Sequence, residues 1–171
     1  MTLKKKIQQN LKEAMKGKEE LKSLVLRMLL AAILNKEKEK RYKISKEKPE
    51  SAKEELEKES QLTDEEVIEV ISSEVKKRKE AIFEFEKGQR QDLAEKEKKE
   101  LEILKKYLPE QLSEEEIRRL AKEAIKKVGA KEMKNMGKVM AELMPQIKGR
   151  AEGGIVSKIV KELLSPLEEG K

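Results

Sequence analysis

The sequence predicts an all-α protein, and three observations indicate this fold class. Apolar residues recur every three or four positions over most of the chain, as they do along one face of a helix. No segment alternates apolar and polar residues, so we predict no β-sheet. Charged residues make up 44% of the sequence and aromatic residues 2%, which fits helices that share a modest core beneath a charged surface.

The first two predicted helices lie at the N-terminus. Apolar residues spaced by four from Leu3 to Met15 predict a helix that ends at Gly17. The most apolar stretch of the chain, residues 21–34, follows. Because its apolar residues surround the helix axis, we expect this helix to be buried on most sides. Lys and Glu dominate residues 42–62, where we predict a short helix within a charged segment that is expected to be mobile.

Two further helices complete a predicted N-terminal bundle of about four helices. Thr63 and Glu66 have the spacing of a capping box, in which each side chain accepts a hydrogen bond from the other residue's backbone amide. The helix that begins there is predicted to end at Gly88. Asp92 is expected to cap the next helix, because a carboxylate accepts hydrogen bonds from free amides at a helix start.

A boundary at Pro109 separates two predicted subdomains. Proline disfavours helical geometry in the residue before it, so we assign residues 1–108 to an N-terminal subdomain and residues 109–171 to a small C-terminal subdomain of three helices.

The C-terminal subdomain has its own helix signals. Its first helix begins with a second capping box, Ser113 to Glu116, and is predicted to stop at Gly129. A helix from about Asn135 follows, and the last helix begins after a loop over residues 148–154. Four methionines at helical spacing are expected in the core: Met133, Met136, Met140 and Met144.

The composition excludes several classes of active site. The chain has no cysteine and no histidine, so a cysteine nucleophile, a histidine general base and a histidine metal ligand are all excluded. We therefore expect no catalytic site, no metal and no other cofactor. The longest apolar run, residues 28–34, is far shorter than a membrane span of roughly 20 residues. A signal peptide would have an apolar stretch after its first basic residues, and no such stretch follows the lysines near Met1. We therefore expect a cytoplasmic protein without membrane contacts.

Positive charge is concentrated near the N-terminus. Residues 1–48 carry 15 basic and 6 acidic residues, a net charge of +9, whereas residues 49–108 carry 13 and 18, and residues 109–171 carry 13 and 11. A basic segment fits a polyanionic partner such as RNA, and a solvated surface of Lys and Glu side chains is the alternative. The same enrichment in Lys and Glu is typical of heat-adapted proteins.

Four short blocks of sequence carry a family resemblance. In their order and joint presence they resemble the GatB/YqeY domain family over nearly the whole chain. The full length is similar to the stand-alone YqeY-like proteins, and the C-terminal part resembles the tail domain of the GatB component of aspartyl/glutamyl-tRNA amidotransferase. The blocks are Leu26–Ile33, Tyr107–Leu112, Met133–Met140 and Pro145–Gly153.

The resemblance implies an all-helical fold and an association with tRNA. In the amidotransferase the tail docks on the tRNA while other domains carry out the chemistry, and similar domains are appended to some glutaminyl-tRNA synthetases. The domain is also associated with a carbon–nitrogen ligase label that names glutamine as the amide donor. No glutaminase triad, ammonia channel or ATP-binding loop is visible in this sequence.

The segment 148–154 is the first candidate for a binding site. Gly149 and Gly153 allow a partner to approach the backbone closely, and Lys148 and Arg150 flank the first glycine. The helix that follows supplies free N–H groups that attract anions. These features fit a phosphate group, and an ordinary turn between two helices is the alternative. The spacing is not that of a P-loop.

A second candidate surface lies at the start of the preceding helix. Gly137 permits close approach either by RNA or by a neighbouring helix, and we favour the neighbouring helix. Lys134 and Lys138 lie one turn apart on one face, and Lys158 would extend the basic surface. The few aromatic residues argue against base stacking and for recognition of folded RNA by its shape and phosphates.

We interpret the chain as a tRNA-associated accessory protein of translation that binds the outer shape of tRNA without catalysis. The alternative is an adaptor that docks on an amidotransferase or an aminoacyl-tRNA synthetase through its helical surface. A third hypothesis is a subunit of a carbon–nitrogen ligase that uses glutamine as amide donor. No small-molecule substrate is expected.

Overall fold

The computed structural model describes residues 1–165, and all regular structure in this range is helical. The all-α prediction is confirmed. None of the helices within residues 1–165 is long and apolar enough to cross a membrane. A short 3₁₀ helix, Met133–Asn135, precedes the seventh α-helix. The α-helices of the described range are α1 (Leu3–Lys16), α2 (Glu20–Glu47), α3 (Lys53–Glu59), α4 (Asp64–Lys87), α5 (Gln91–Lys105), α6 (Glu114–Val128), α7 (Met136–Ile147) and α8 (Gly153–Leu164).

The chain divides into two compact units, Met1–Leu108 and Pro109–Lys171. The first contains α1 to α5, which are four long helices and the short α3, and the second contains α6 to α8. Each unit has its own cluster of buried apolar side chains. The first cluster includes Ile7, Leu26, Leu29, Ile33, Ile71 and Leu104, and the second includes Ile117, Leu143, Ile147, Val156 and Val160.

Both predicted capping boxes are confirmed. The Thr63 hydroxyl accepts from the Glu66 amide, and the Glu66 carboxylate accepts from the Thr63 amide. The Lys40 ammonium, which donates to Glu66 at 2.8 Å, and then the Thr63 amide lower the pKa of Glu66. Because this pKa is lower in the folded state, the stabilisation is present at neutral pH and is lost as the pH falls through the folded-state pKa. Ser113 and Glu116 form the second box at the start of α6.

The predicted helix ends are also confirmed, with one error at a helix start. Gly17, Gly88 and Gly129 follow the last residues of α1, α4 and α6. The prediction that Asp92 caps the next helix is wrong, because Arg90 occupies the cap position and Asp92 lies in the first turn. The Asp92 carboxylate instead accepts from the Arg90 guanidinium, with 3.0 Å between Oδ2 and Nη2.

The expectation that residues 21–34 are buried on most sides is wrong. Val25 and Leu26 are completely buried, whereas Leu24 and Met28 on the other side of α2 are 43% and 46% exposed. The reason is that α1, α4 and α5 all pack on one side of α2. A partly apolar side of the longest described helix therefore faces solvent.

The charged segment 42–62 is largely helical. Its first residues continue α2 to Glu47, and α3 follows after a short break. Lys48 and Glu59 form an ion pair of 2.9 Å across that break. Directly after α3, the Ser60 hydroxyl is buried and accepts a hydrogen bond from Arg41 Nε at 3.2 Å. The mobility of this segment stays a prediction.

Candidate nucleic-acid interface

The predicted site residues lie in two groups at opposite ends of α7. Since α7 has 12 residues and a helix rises 1.5 Å per residue, its two ends are about 16 Å apart. The first group lies at the start of α7 and consists of Lys134, Gly137 and Lys138. The second lies between the end of α7 and the second turn of α8 and consists of Lys148, Gly149, Arg150, Gly153 and Lys158.

The start of α7 is open on the side of Gly137, the second residue of the helix. Apart from the backbone of its own helix, a Cβ atom added to Gly137 would meet no atom of residues 1–165 within 4 Å. The preferred interpretation that Gly137 lets a neighbouring helix of this chain approach is therefore wrong. The side chain of Asn135, at the cap position, makes no capping hydrogen bond. The Met136 amide already donates to the Met133 carbonyl of the 3₁₀ helix that leads into α7. Gly137 leaves the backbone that follows it sterically accessible.

Two lysines flank this helix start. Lys138 follows Gly137 directly and is exposed. Lys134 lies in the 3₁₀ helix, and its side chain is 73% exposed although its ammonium pairs with Glu132 at 2.8 Å. An exposed lysine pair of this kind is weak in water, so Lys134 remains able to turn toward an anion.

The start of α8 repeats the same arrangement. Gly153 and Gly154 are its first two residues, so the predicted loop is shorter than expected and both glycines are helical. Added Cβ atoms at these positions would also meet nothing within 4 Å among the described residues, and Glu152 provides no side-chain cap. Lys158 lies one turn beyond Gly154 on the same face and is exposed.

These glycines have no role in packing within the described chain. Glycine in a helix is less favourable than alanine by about 0.5–1 kcal/mol, because it loses more backbone freedom on folding. The helices α1, α4 and α6 instead begin with the capping side chains of Thr2, Thr63 and Ser113. Within residues 1–165, only α7 and α8 combine a first-turn glycine with the lack of a side-chain cap. Two helix starts thus expose bare backbone.

The turn between α7 and α8 has a different character, because it is bonded to protein. Gly149 has a φ of +71°, which residues with a side chain rarely adopt. The Arg150 carbonyl accepts from the Leu112 amide at 2.8 Å. The Gly149 carbonyl accepts from Gln111 Nε2 at 2.8 Å, and Arg150 Nε donates to the Glu110 carbonyl at 3.2 Å.

The Arg150 side chain is therefore already engaged within the second unit. Its charge also acts on Glu116, whose pKa is lowered first by the backbone amide and the hydroxyl of Ser113 and then by Arg150. The sequence predicted that Arg150 meets a phosphate. The structure gives Arg150 a partner that this prediction missed, the segment 110–112. Arg150 and this segment belong to two of the sequence blocks that carry the family resemblance.

The methionines divide between the core and the surface. Met136 and Met140 pack partly buried against the apolar cluster of the second unit. The prediction of a core position is wrong for Met133 and Met144, which are 42% and 46% exposed. Met133 precedes α7 in the 3₁₀ helix, and Met144 lies on the outward face of α7, so helical spacing alone did not distinguish the two sides.

Within residues 1–165, no three acidic side chains are grouped so that they could hold a metal ion. The candidate interface presents backbone amides and lysines together with two carboxylates, those of Glu132, which pairs with Lys134, and of Glu152 at the cap position of α8. Backbone amides at a helix start and lysines beside them are groups that can recognise an anion.

A protein-family model described as YqeY-like protein matches residues 4–52 and 48–164. The chain belongs to the YqeY-like family. The match includes both units and all eight helices of the described range except one residue at the start of α1. The family resemblance seen in the four sequence blocks is thereby confirmed.

Two curated relatives are fungal proteins. An uncharacterized protein of Schizosaccharomyces pombe is 47% identical over 51 residues, which are 30% of this chain and 42% of that protein. The protein of Pyrenophora tritici-repentis named altered inheritance of mitochondria protein 41, mitochondrial, is 37% identical over 106 residues, which are 60% of this chain and 58% of that protein. This YqeY-like chain spans about half the length of the curated relatives it matches.

Proposed function

We propose that this YqeY-like protein binds tRNA as a non-catalytic accessory protein of translation, through the open starts of α7 and α8. The observation that carries the proposal is the pair of uncapped first turns whose glycines have free space above them. A partner that needs contact with bare backbone and bears negative charge fits both features. The ribose–phosphate backbone of a folded RNA is such a partner.

The charges around the two helix starts support this assignment. Lys134 and Lys138 lie beside the first turn of α7, and Lys158 lies one turn beyond the glycines of α8. The two helix starts are separated in the chain by α7 and the turn that follows it, so each would take a phosphate contact of its own. The resemblance to the amidotransferase tail supports tRNA as the folded RNA. The cytoplasmic location stays a prediction, and the mitochondrial location in one relative's name is a statement about that protein.

A mobility-shift titration with total tRNA tests the proposal. Contacts to phosphates release bound counterions, so we expect the affinity to fall steeply with salt, with a log–log slope proportional to the number of phosphates contacted. The absence of any shift at low salt would refute RNA binding. Glutamine-dependent ammonia release by the pure protein would refute the non-catalytic part and favour the carbon–nitrogen ligase hypothesis.

Gly137→Ala is expected to change stability and RNA binding in opposite directions. The added Cβ meets nothing in the part of the chain that the structure describes, so the better helix propensity of alanine should raise the free energy of unfolding by about 0.5–1 kcal/mol. The same methyl group would stand between the helix backbone and a phosphate and should weaken tRNA binding several-fold. Urea unfolding and the mobility shift measure the two effects. A more stable variant with unchanged tRNA affinity would show that RNA does not approach this turn.

Lys138→Ala is expected to lower both the affinity for tRNA and its salt dependence. Losing one phosphate contact should reduce the magnitude of the log–log salt slope by about one. Lys122→Ala is the matched control, because Lys122 is an exposed lysine of the same unit on α6, which carries none of the candidate residues. Equal effects of the two substitutions on slope and affinity would indicate a non-specific charge effect in place of a defined contact.

A further inference from the structure

The exposed side of α1 carries a row of lysines in the first unit, whereas the candidate RNA-binding residues belong to the second. Lys5, Lys12 and Lys16 form this α1 row. All three are exposed, and at about 100° per residue they lie within about 40° of one another around the helix axis. Ile7 and Ala14, which are completely buried, lie on the opposite side of the helix. The α1 row therefore faces away from the core along about 16 Å of helix.

These lysines lack the carboxylate partners that cations have elsewhere on the surface. Of the six lysines in residues 1–18, only Lys4 forms an ion pair with a residue that the structure describes, at 2.7 Å from Glu37 of α2. Glu13 is the only acidic residue of α1, and its carboxylate accepts from Gln9 Nε2 at 2.9 Å. By contrast, α4, α5 and α6 each pair an exposed cation with a glutamate three or four positions away. The positive charge of the α1 row is therefore not compensated within its own helix.

Part of this charge lies where a helix disfavours it. The first turn of α1 holds Lys4, Lys5 and Lys6 and no acidic residue, whereas α2 to α5 each have an acidic residue in their first turn. A cation is unfavourable at the positive end of a helix dipole. Asp64 of α4 accepts from the Leu3 amide at 2.7 Å and supplies an anion at this end, but it forms no ion pair with the three lysines. Helix stability therefore does not explain the lysines of this turn.

The turn after α1 adds a further exposed cation. Lys18 forms no ion pair with any residue in the described part of the chain, and its φ of +56° is a left-handed conformation that is uncommon for a residue with a side chain. Gln89, in the turn after α4, has a φ of +57°, so the same geometry accepts a neutral side chain. The charge of Lys18 is therefore not required by the fold of its turn.

We propose that the α1 row contacts the phosphate backbone of tRNA, as a second RNA-binding surface in the first unit. This inference rests on the proposed function. Phosphate contacts need only accessible cations, because the counterions they release provide the free energy of binding. The row is bordered by Gln8 and Gln9 and includes no apolar side chain, whereas a protein partner would need an apolar centre. An anionic membrane fits less well, because a helix in a membrane surface inserts its apolar side, and that side of α1 is packed in the core.

A triple variant tests the α1 row in the mobility shift with total tRNA. Lys5→Gln, Lys12→Gln and Lys16→Gln together remove three charges, and glutamine has a helix propensity close to that of lysine. The full-length variant should therefore keep the melting temperature of the unaltered protein in circular dichroism. We expect its tRNA affinity to fall about tenfold or more at about 100 mM salt. The log–log salt slope should decrease in magnitude by about two to three, which is close to one for each lost contact.

A second triple variant of equal net charge is the matched control. Lys96→Gln, Lys99→Gln and Lys106→Gln alter three exposed lysines that lie in α5 or directly after it, in the same unit, and that form no ion pair with a described residue. Because glutamates of α5 lie between these lysines, the control should leave the salt slope nearly unchanged. Equal losses of affinity and slope in the two triple variants would show a non-specific effect of net charge and would overturn the inference.

The failure of this inference can be distinguished from the failure of the proposed function. If the unaltered protein gives no shift with tRNA, both are refuted. If the α1 variant binds tRNA with the affinity and slope of the unaltered protein, the contact through α1 is refuted alone, and the starts of α7 and α8 remain the interface. Co-sedimentation with phosphatidylglycerol vesicles tests a membrane as the partner. Vesicle binding that the α1 variant loses, together with an unchanged tRNA slope, would assign the α1 row to a membrane and overturn the inference.

Discussion

Glu100→Ala is expected to lower the free energy of unfolding of the first unit by about 3 kcal/mol, because it leaves a buried guanidinium without its partner on the neighbouring helix. Arg78 on α4 donates from Nη2 to Glu100 on α5 at 3.1 Å, and the two side chains are only 7% and 6% exposed. Glu74, one turn away on α4 and 3.3 Å from Nη1, is retained and compensates for part of the loss. Urea unfolding followed by circular dichroism measures the effect.

An exposed ion pair within a single helix provides the control. Arg119 and Glu123 lie one turn apart on α6 at 3.7 Å, with both side chains more than half exposed, so Glu123→Ala should change stability by less than about 0.5 kcal/mol. Replacing both Arg78 and Glu100 by Met should restore most of the stability, since it removes the two buried charges together. It also removes Arg78 Nε, which is buried and has no acceptor among the described residues. A loss of less than about 1 kcal/mol for Glu100→Ala would mean that Glu74 alone satisfies Arg78.

Helix ends were predictable because their determinants lie within a few residues of each other. The Thr63 and Ser113 boxes need only a hydroxyl and a carboxylate three positions apart. Gly129 follows α6 with a φ of +64°, a conformation that glycine adopts without strain. Asp92 failed as a cap because an adjacent cation, Arg90, provided a better partner for its carboxylate than the helix amides did.

The orientation of helices relative to the core was not predictable where the local pattern lacks a single apolar face. In α2 apolar residues occur all round, so the side that packs is chosen by the preceding helix α1 together with α4 and α5, which lie far away in sequence. The same limit applies to Met144, whose spacing fits the core but whose side of α7 faces outward.

The candidate RNA-binding residues could be selected from the sequence, because glycine indicates an accessible backbone and lysine a positive charge. The surroundings of these residues in the fold could not be predicted. Nothing local to Gly137 shows whether a helix covers it, and the structure leaves it open. Arg150 bonds to the carbonyl of Glu110, 40 positions earlier in the chain. A cation beside a glycine therefore predicts an anion site only when no carbonyl or carboxylate of the fold reaches the cation first.

Gly149→Val is expected to destabilise the second unit by about 2 kcal/mol in the absence of RNA, because a β-branched residue is strained at the φ of +71° seen there. The turn presents the carbonyls of Gly149 and Arg150 to Gln111 and Leu112, so a change of backbone geometry should break those bonds too. Hydrogen exchange of the Leu112 amide, which donates to Arg150 at 2.8 Å, reports the opening of this turn directly.

Gly149→Asn separates the structural role of the turn from RNA binding. Asparagine tolerates left-handed geometry, so this variant should lose less than about 1 kcal/mol and keep the Leu112 amide protected. If the turn serves only to hold residues 110–112, the asparagine variant should bind tRNA like the unaltered protein, while the valine variant loses affinity in step with its lost stability. A loss of tRNA affinity in Gly149→Asn at unchanged stability would show that RNA reaches the backbone of this turn, and would extend the interface from the starts of α7 and α8 to the segment between them.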